Sequence, residues 1–145
     1  MAALVKLAAT LVALVMLGSA AVQAEAVTAE DQAAFKAVIT AQIEALRKDD
    51  FAAAYAVAAP SMKALYPTVQ AFMQVIRGRY APLIRPRTVV FGTVTQTSQG
   101  PVQRVFLTAS DGRAYVASYS LQQQPDKTWL IAGYTVARDN GSSAI

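Results

Sequence analysis

The chain has 145 residues, a formal net charge of +4, and neither cysteine nor histidine. Those absences exclude disulfide stapling, zinc centres built from Cys and His, and a histidine general base. Catalysis would have to rest on carboxylates, lysines or tyrosines, in a chain long enough for one domain with a core of its own.

Residues 1–24 come first and read as a secretory signal peptide. Lys6 precedes an apolar run from Leu7 to about Val22, loosened by Gly18 and Ser19 and closed by Val22-Gln23-Ala24. Charge, length and small residues at the cleavage site fit that reading, with the mature chain starting at Glu25. A membrane span needs about 20 apolar residues, so a retained anchor is the weaker alternative. Export points to the periplasm. Much of the 54% apolar content sits in this segment, so it says little about the rest.

Removing Lys6 leaves a domain of about +3 whose charge is uneven. No acidic residue falls between Asp50 and Asp111, while Lys63, Arg77, Arg79, Arg85, Arg87 and Arg104 do. One basic side is expected. In an exported protein this favours an acidic protein, an anionic lipid surface or an anionic small molecule over nucleic acid. No stable membrane insertion is expected after cleavage.

Thr28-Ala29-Glu30-Asp31 reads as a helix start, with Thr28 as cap and two acids at the positive end of the dipole. Phe35, Val38, Ile39, Ile43 and Leu46 then recur at helical spacing. Arg47 and Lys48 suit the end of that helix. Asp49 or Asp50 can cap a short second helix carrying Phe51, Tyr55 and Ala58, which Pro60 should stop. A further turn holds Met62 and Leu65. A third stripe, Val69, Phe72, Met73, Ile76 and Tyr80, predicts a helix from about Thr68 to Arg77 or a little further, ended by Gly78 and Pro82. Two prolines make Ala81–Pro86 an expected extended link.

From Thr88 the period changes to two. Strands are expected over Val89–Thr95, Val102–Thr108, Ala114–Leu121 and Thr128–Val136. Ser98-Gln99-Gly100-Pro101, Asp111-Gly112 and Pro125-Asp126 supply the turns. Short links between strands mean an antiparallel meander. Helices first and strands afterwards give an α+β domain over residues 25–137, with N-terminal helices packed on a four-stranded sheet and a flexible tail over 138–145. On the last strand, Leu130, Ala132, Tyr134 and Val136 alternate with Trp129, Ile131 and Thr135. Both sets are rather apolar, which suggests a central strand or a partner surface.

Two stretches resemble a bacterial family, domain of unknown function 4864. One is Ile43-Glu44-Ala45-Leu46-Arg47-Lys48-Asp49-Asp50-Phe51 with Ala54-Tyr55 and Ala58-Ala59-Pro60. The other is Tyr80-Ala81-Pro82-Leu83-Ile84-Arg85-Pro86-Arg87 leading to Val90-Phe91-Gly92. Asp111-Gly112 and Trp129-Leu130-Ile131-Ala132-Gly133 fit the same layout. The arrangement also resembles the curved cystatin-like cone of nuclear-transport-factor-like and SnoaL-like domains. That resemblance implies a pocket between helices and sheet, and often a homodimer through the sheet. It brings no catalytic residues.

Six tyrosines, Tyr55, Tyr66, Tyr80, Tyr115, Tyr119 and Tyr134, form a candidate set of which two or three would line a cavity; the chosen ligand-binding residues are Tyr55, Tyr80, Tyr119, Arg85 and Arg87. Tyrosine joins an apolar ring to a hydroxyl, which suits a cavity lining or a core edge. Arg85 and Arg87, two apart in an extended segment, can project together and grip a carboxylate or phosphate, or pair with Asp49 or Asp50. Asp49 and Asp50 are explained by capping. No phosphate loop, cofactor motif or metal cluster is present, so a non-catalytic domain is expected. Its role is to hold a small apolar or anionic ligand in the cone or, alternatively, to bind a protein partner through the sheet and basic edge. A filled interior would favour the partner; a hollow one, the ligand.

Overall fold

The computed structural model describes residues 26–141. The expected signal peptide and the last four residues of the expected tail lie outside them. Four helices come first: α1 (Ala29–Arg47), α2 (Phe51–Ala56), α3 (Pro60–Leu65) and α4 (Val69–Arg79). Four strands follow: β1 (Thr88–Thr97), β2 (Gly100–Thr108), β3 (Ala114–Gln123) and β4 (Trp129–Arg138). They form one open antiparallel sheet in the order β1-β2-β3-β4. The domain is α+β, with its helices N-terminal to its strands. No described helix is long and apolar enough to cross a membrane.

α1 starts where its sequence directs. The Thr28 hydroxyl accepts from the Asp31 amide at 3.1 Å, and the Asp31 carboxylate accepts from the Thr28 amide at 2.9 Å, a reciprocal capping box. The same carboxylate takes the Trp129 indole N–H at 3.1 Å, so the cap also ties α1 to the start of β4. These bonds hold the Asp31 carboxyl below its ordinary range, the Thr28 amide contributing most. Asp50 caps α2 by accepting from the Ala53 amide at 3.0 Å.

Three boundaries differ from expectation. Pro60 opens α3 rather than merely stopping α2, since a proline at the first helical position loses no needed donor. Gly78 does not end α4, which continues to Arg79. The link after it is not extended: Ala81–Leu83 forms a 3₁₀ turn, and its Leu83 is fully buried. One residue of the expected tail, Arg138, is the last of β4.

One face of the sheet is covered by the helices. Register places Phe91, Val105, Ala117 and Val136 in one row and Val94, Gln103, Tyr119 and Tyr134 in the next, both facing inward. Phe35, Ile39, Leu46, Phe72, Ile76, Leu83 and Tyr119 are all 0% exposed, so the space between the layers is filled by side chains. Phe35 meets Trp129 edge-on, with ring centroids 4.8 Å apart.

The two-sided look of β4 has a local cause. Ser120 pairs with Gly133 and Leu121 with Ile131, so Ala132 is an extra residue on β4. Such a bulge switches the phase of the strand. Trp129 and Ile131 face the core before it, and Tyr134 and Val136 after it. Each apolar set supplies half of one inward face, and the appearance of a strand buried on both sides is a phase break.

Candidate functional site

Tyr80, at the end of α4, meets Tyr134 of β4 edge-on at 4.7 Å, and Tyr134 lies tilted against Tyr119 at 5.7 Å. The row forms because Tyr119 and Tyr134 are register partners, while the Tyr80 backbone is fixed by bonds from its amide to the Ile76 carbonyl at 3.0 Å and from the Leu83 amide to its carbonyl at 2.9 Å. In front of the row is an open cleft of about 170 Å³, lined by Met62, Leu65, Tyr66, Tyr80, Gly133 and Tyr134. Leu65 is 73% exposed at its rim, unusual for so large an apolar side chain.

Burial pushes the Tyr119 phenol far up from its ordinary value. Tyr134 is pushed up first by burial and then by the charge that Tyr119, Tyr80 or Tyr66 would carry if ionised. Both stay neutral hydroxyls near neutral pH. The Tyr119 hydroxyl is buried without a hydrogen-bond partner. A raised pKa of this kind makes a tyrosine a poorer, not a better, general base at neutral pH.

The expected site residues are dispersed. Tyr80 lines the cleft, and Tyr119 lies behind it in the core. Tyr55 is a strut: its hydroxyl donates to the Tyr66 carbonyl at 2.6 Å, its ring leans on Phe72, and Lys63 sits over it. Tyr66 and Tyr134 complete the cleft. Sequence offered a signal for Tyr134 in its pairing with Tyr119, but that pairing emerges only once the β4 bulge is counted.

Arg85 and Arg87 do not project together. Arg85 has a left-handed backbone, φ 53°, which breaks the alternation an extended segment would impose. Its guanidinium turns back to the carboxylate of Asp49 and donates through Nε to the Arg47 carbonyl at 3.2 Å. Arg47 answers by donating from Nη2 to the Pro86 carbonyl at 3.0 Å. The two arginines clasp the end of α1 to the segment leading into β1. Arg87 instead lies beside the turn at Gly112.

The clasp has a testable asymmetry. A left-handed backbone costs an L-residue about 1–2 kcal/mol and a glycine almost nothing. The ion pair, half-exposed on both sides, is worth at most about 1 kcal/mol. Arg85→Gly should therefore melt close to the parent, while Arg85→Ala, which keeps the strain and loses the bonds, should melt lower. An alanine variant as stable as the glycine one would show that the backbone strain is not there.

A second open cleft, about 200 Å³, lies between α1 and β1 and is lined by Thr40, Ile43, Glu44, Arg47, Val89 and Phe91. Both clefts are smaller than the roughly 300–1,000 Å³ that small-molecule sites commonly occupy. Among the described residues, no three acidic side chains gather to hold a metal ion.

The outward face of the sheet carries Val90, Phe106 and Val116 in one row and Arg104, Ser118 and Thr135 in the next. Val90 is 59% exposed. The Phe106 ring lies across Gly92, where a Cβ would stand 2.7 Å from Cε2, and Arg104 lies over the same ring at 5.6 Å. Glycine at this bulge is what lets the aromatic lie flat across the strand.

A family model described as Domain of unknown function (DUF4864) matches residues 28–144. No curated protein and no solved structure matches the chain.

Proposed function

From a chain that belongs to this family of domains of unknown function, we propose a non-catalytic, exported domain that binds a partner protein. Its contact surface would be the outward sheet face with its basic rim. The filled interior carries this reading. Phe35, Ile39, Phe72, Leu83 and Tyr119 occupy, at 0% exposure, the space a cone-bound ligand would need. On the other side of the sheet, Val90 and Phe106 lie beside Arg104, whose guanidinium has no ion-pair partner among the described residues. An aromatic ring beside an unpaired arginine is the composition of a protein-binding centre rather than of an ordinary solvated face.

A photo-crosslinking residue placed at Val90 in cells of the native host tests the proposal. A discrete crosslinked species is expected, and Arg104→Glu should deplete it without lowering the melting temperature. The absence of any discrete species from a folded, abundant protein would remove the reading.

One observation favours a second reading. Exposed Leu65 beside three tyrosines suits a small apolar ligand held at the first cleft, with phenol hydroxyls for its polar end. Native mass spectrometry of protein from its own compartment would then show an adduct that Leu65→Glu abolishes.

A further inference from the structure

The two edges of the sheet are treated differently. Along β4, the segment before α3 closes the first half: the Ala59 amide donates to the Ile131 carbonyl at 2.8 Å, and the Ile131 amide donates to the Val57 carbonyl at 3.0 Å. Along β1, no backbone bond reaches the free side among the described residues. Natural edge strands are normally blunted by lysine, proline, inward charges or very short length. β1 is ten residues long, reads Thr-Val-Val-Phe-Gly-Thr-Val-Thr-Gln-Thr, and carries no charge and no proline. Its one protective device is a bulge, where Gly92 and Thr93 together face Arg104 of β2.

N-terminal to that bulge, the regular stretch Thr88–Phe91 runs beside the 200 Å³ cleft. Val89 and Phe91 point into the cleft from the strand and Ile43 from α1, so its floor is apolar. Glu44 and Arg47 stand at its border, and the Arg47 Nε atom, 3.4 Å from Glu44, is buried without a hydrogen bond. An open backbone ladder beside an apolar hole is what strand addition requires: main-chain bonds for affinity and a side-chain pocket for selection.

We propose that β1 binds an extended segment of another polypeptide, paired to Thr88–Phe91. One apolar side chain of that segment enters the cleft beside Ile43, Val89 and Phe91. This rests on the partner-binding reading and moves its contact from the sheet face to the sheet edge. A second copy of the chain is the poorer occupant. Twofold pairing along the full length of β1 would set bulge against bulge at the centre of the ladder, where the pairing must be most regular.

The experiment is a selection of displayed random decapeptides on the folded domain, followed by hydrogen exchange and affinity measurement on one synthetic peptide from the enriched set. Enriched peptides should alternate polar and apolar residues with one fixed apolar position, and should protect amides within Thr88–Phe91. Thr40→Trp, which fills the cleft from the exposed face of α1, should weaken binding about tenfold or more. Thr135→Trp, on the outward face of β4 and away from β1, should leave it unchanged.

No common pattern, indifference to Thr40→Trp, or protection mapped to the outward face would overturn the proposal. Loss of binding in Thr135→Trp but not Thr40→Trp would do so while keeping the broader partner reading. Concentration-dependent dimerisation that Thr40→Trp abolishes would also overturn it, by giving the edge to a second copy.

Discussion

Above about pH 10 the protein is expected to unfold cooperatively, with Tyr119 and Tyr134 as the responsible groups. In the unfolded chain both ionise near the ordinary tyrosine value of 10.0, whereas in the fold both are pushed well above it. Between those two values the unfolded state has released protons that the native state still holds, so stability falls as pH rises. Their contribution is complete below pH 10 and is lost on the way up to the folded values. Each group removes about 1.4 kcal/mol per pH unit, so two units above its unfolded value the pair takes away roughly 5 kcal/mol. That is comparable with the whole stability of many small domains.

Tyrosinate absorbance and circular dichroism should therefore change together. The two buried phenols, Tyr119 and Tyr134, should ionise only with the transition. Tyr134→Phe and Tyr119→Phe should each move the midpoint upward. Ionisation of Tyr119 and Tyr134 with the fold intact would disprove the assignment.

How far the sequence disclosed this arrangement depends on whether each feature is local. The capping box of Thr28 and Asp31, the stripe from Phe35 to Leu46 and the turn at Asp111-Gly112 are written within a few residues, and each appears where its chemistry puts it. The Arg85 clasp is not local. Pairing with Asp49 is one of the readings the residues offer, and it holds for Arg85, but the left-handed backbone that goes with it is not written in Arg85-Pro86-Arg87. The phase of β4 depends on a bulge set by pairing with Ser120 and Leu121, so alternation read along one strand left both faces open.

The candidate site suffered most from this. Its cleft joins α3, α4 and β4; three of the six candidate tyrosines, Tyr66, Tyr80 and Tyr134, line it, but of the five chosen residues only Tyr80 does. The fate of the interior was beyond the sequence altogether, because whether a cone is hollow depends on how large side chains from both layers interlock.

Two buried glutamines give the sharpest remaining contrast. Gln42 on α1 and Gln103 on β2 are each 0% exposed, and their types and burial alone would assign them the same worth. Their bonds differ. Gln103 Nε2 donates to the Gly92 carbonyl at 2.9 Å and to the Arg104 carbonyl at 2.8 Å, bracing the β1 bulge from inside the sheet. Gln42 has no partner for either side-chain polar atom.

Methionine is nearly the shape of glutamine and as good a helix former, so substituting it tests the amide with little change in packing or propensity. Gln103→Met strands two backbone carbonyls at about 1–3 kcal/mol each and removes one orphaned oxygen, Oε1, of similar cost, so the net loss should be about 1–3 kcal/mol. Gln42→Met removes two orphaned polar atoms from the core and should stabilise by about 1–3 kcal/mol. Chemical denaturation of the two variants beside the parent reads both signs at once. Should Gln42→Met destabilise as much as Gln103→Met, the Gln42 amide must be bonded, and a buried water between the helical layer and the sheet becomes the required partner.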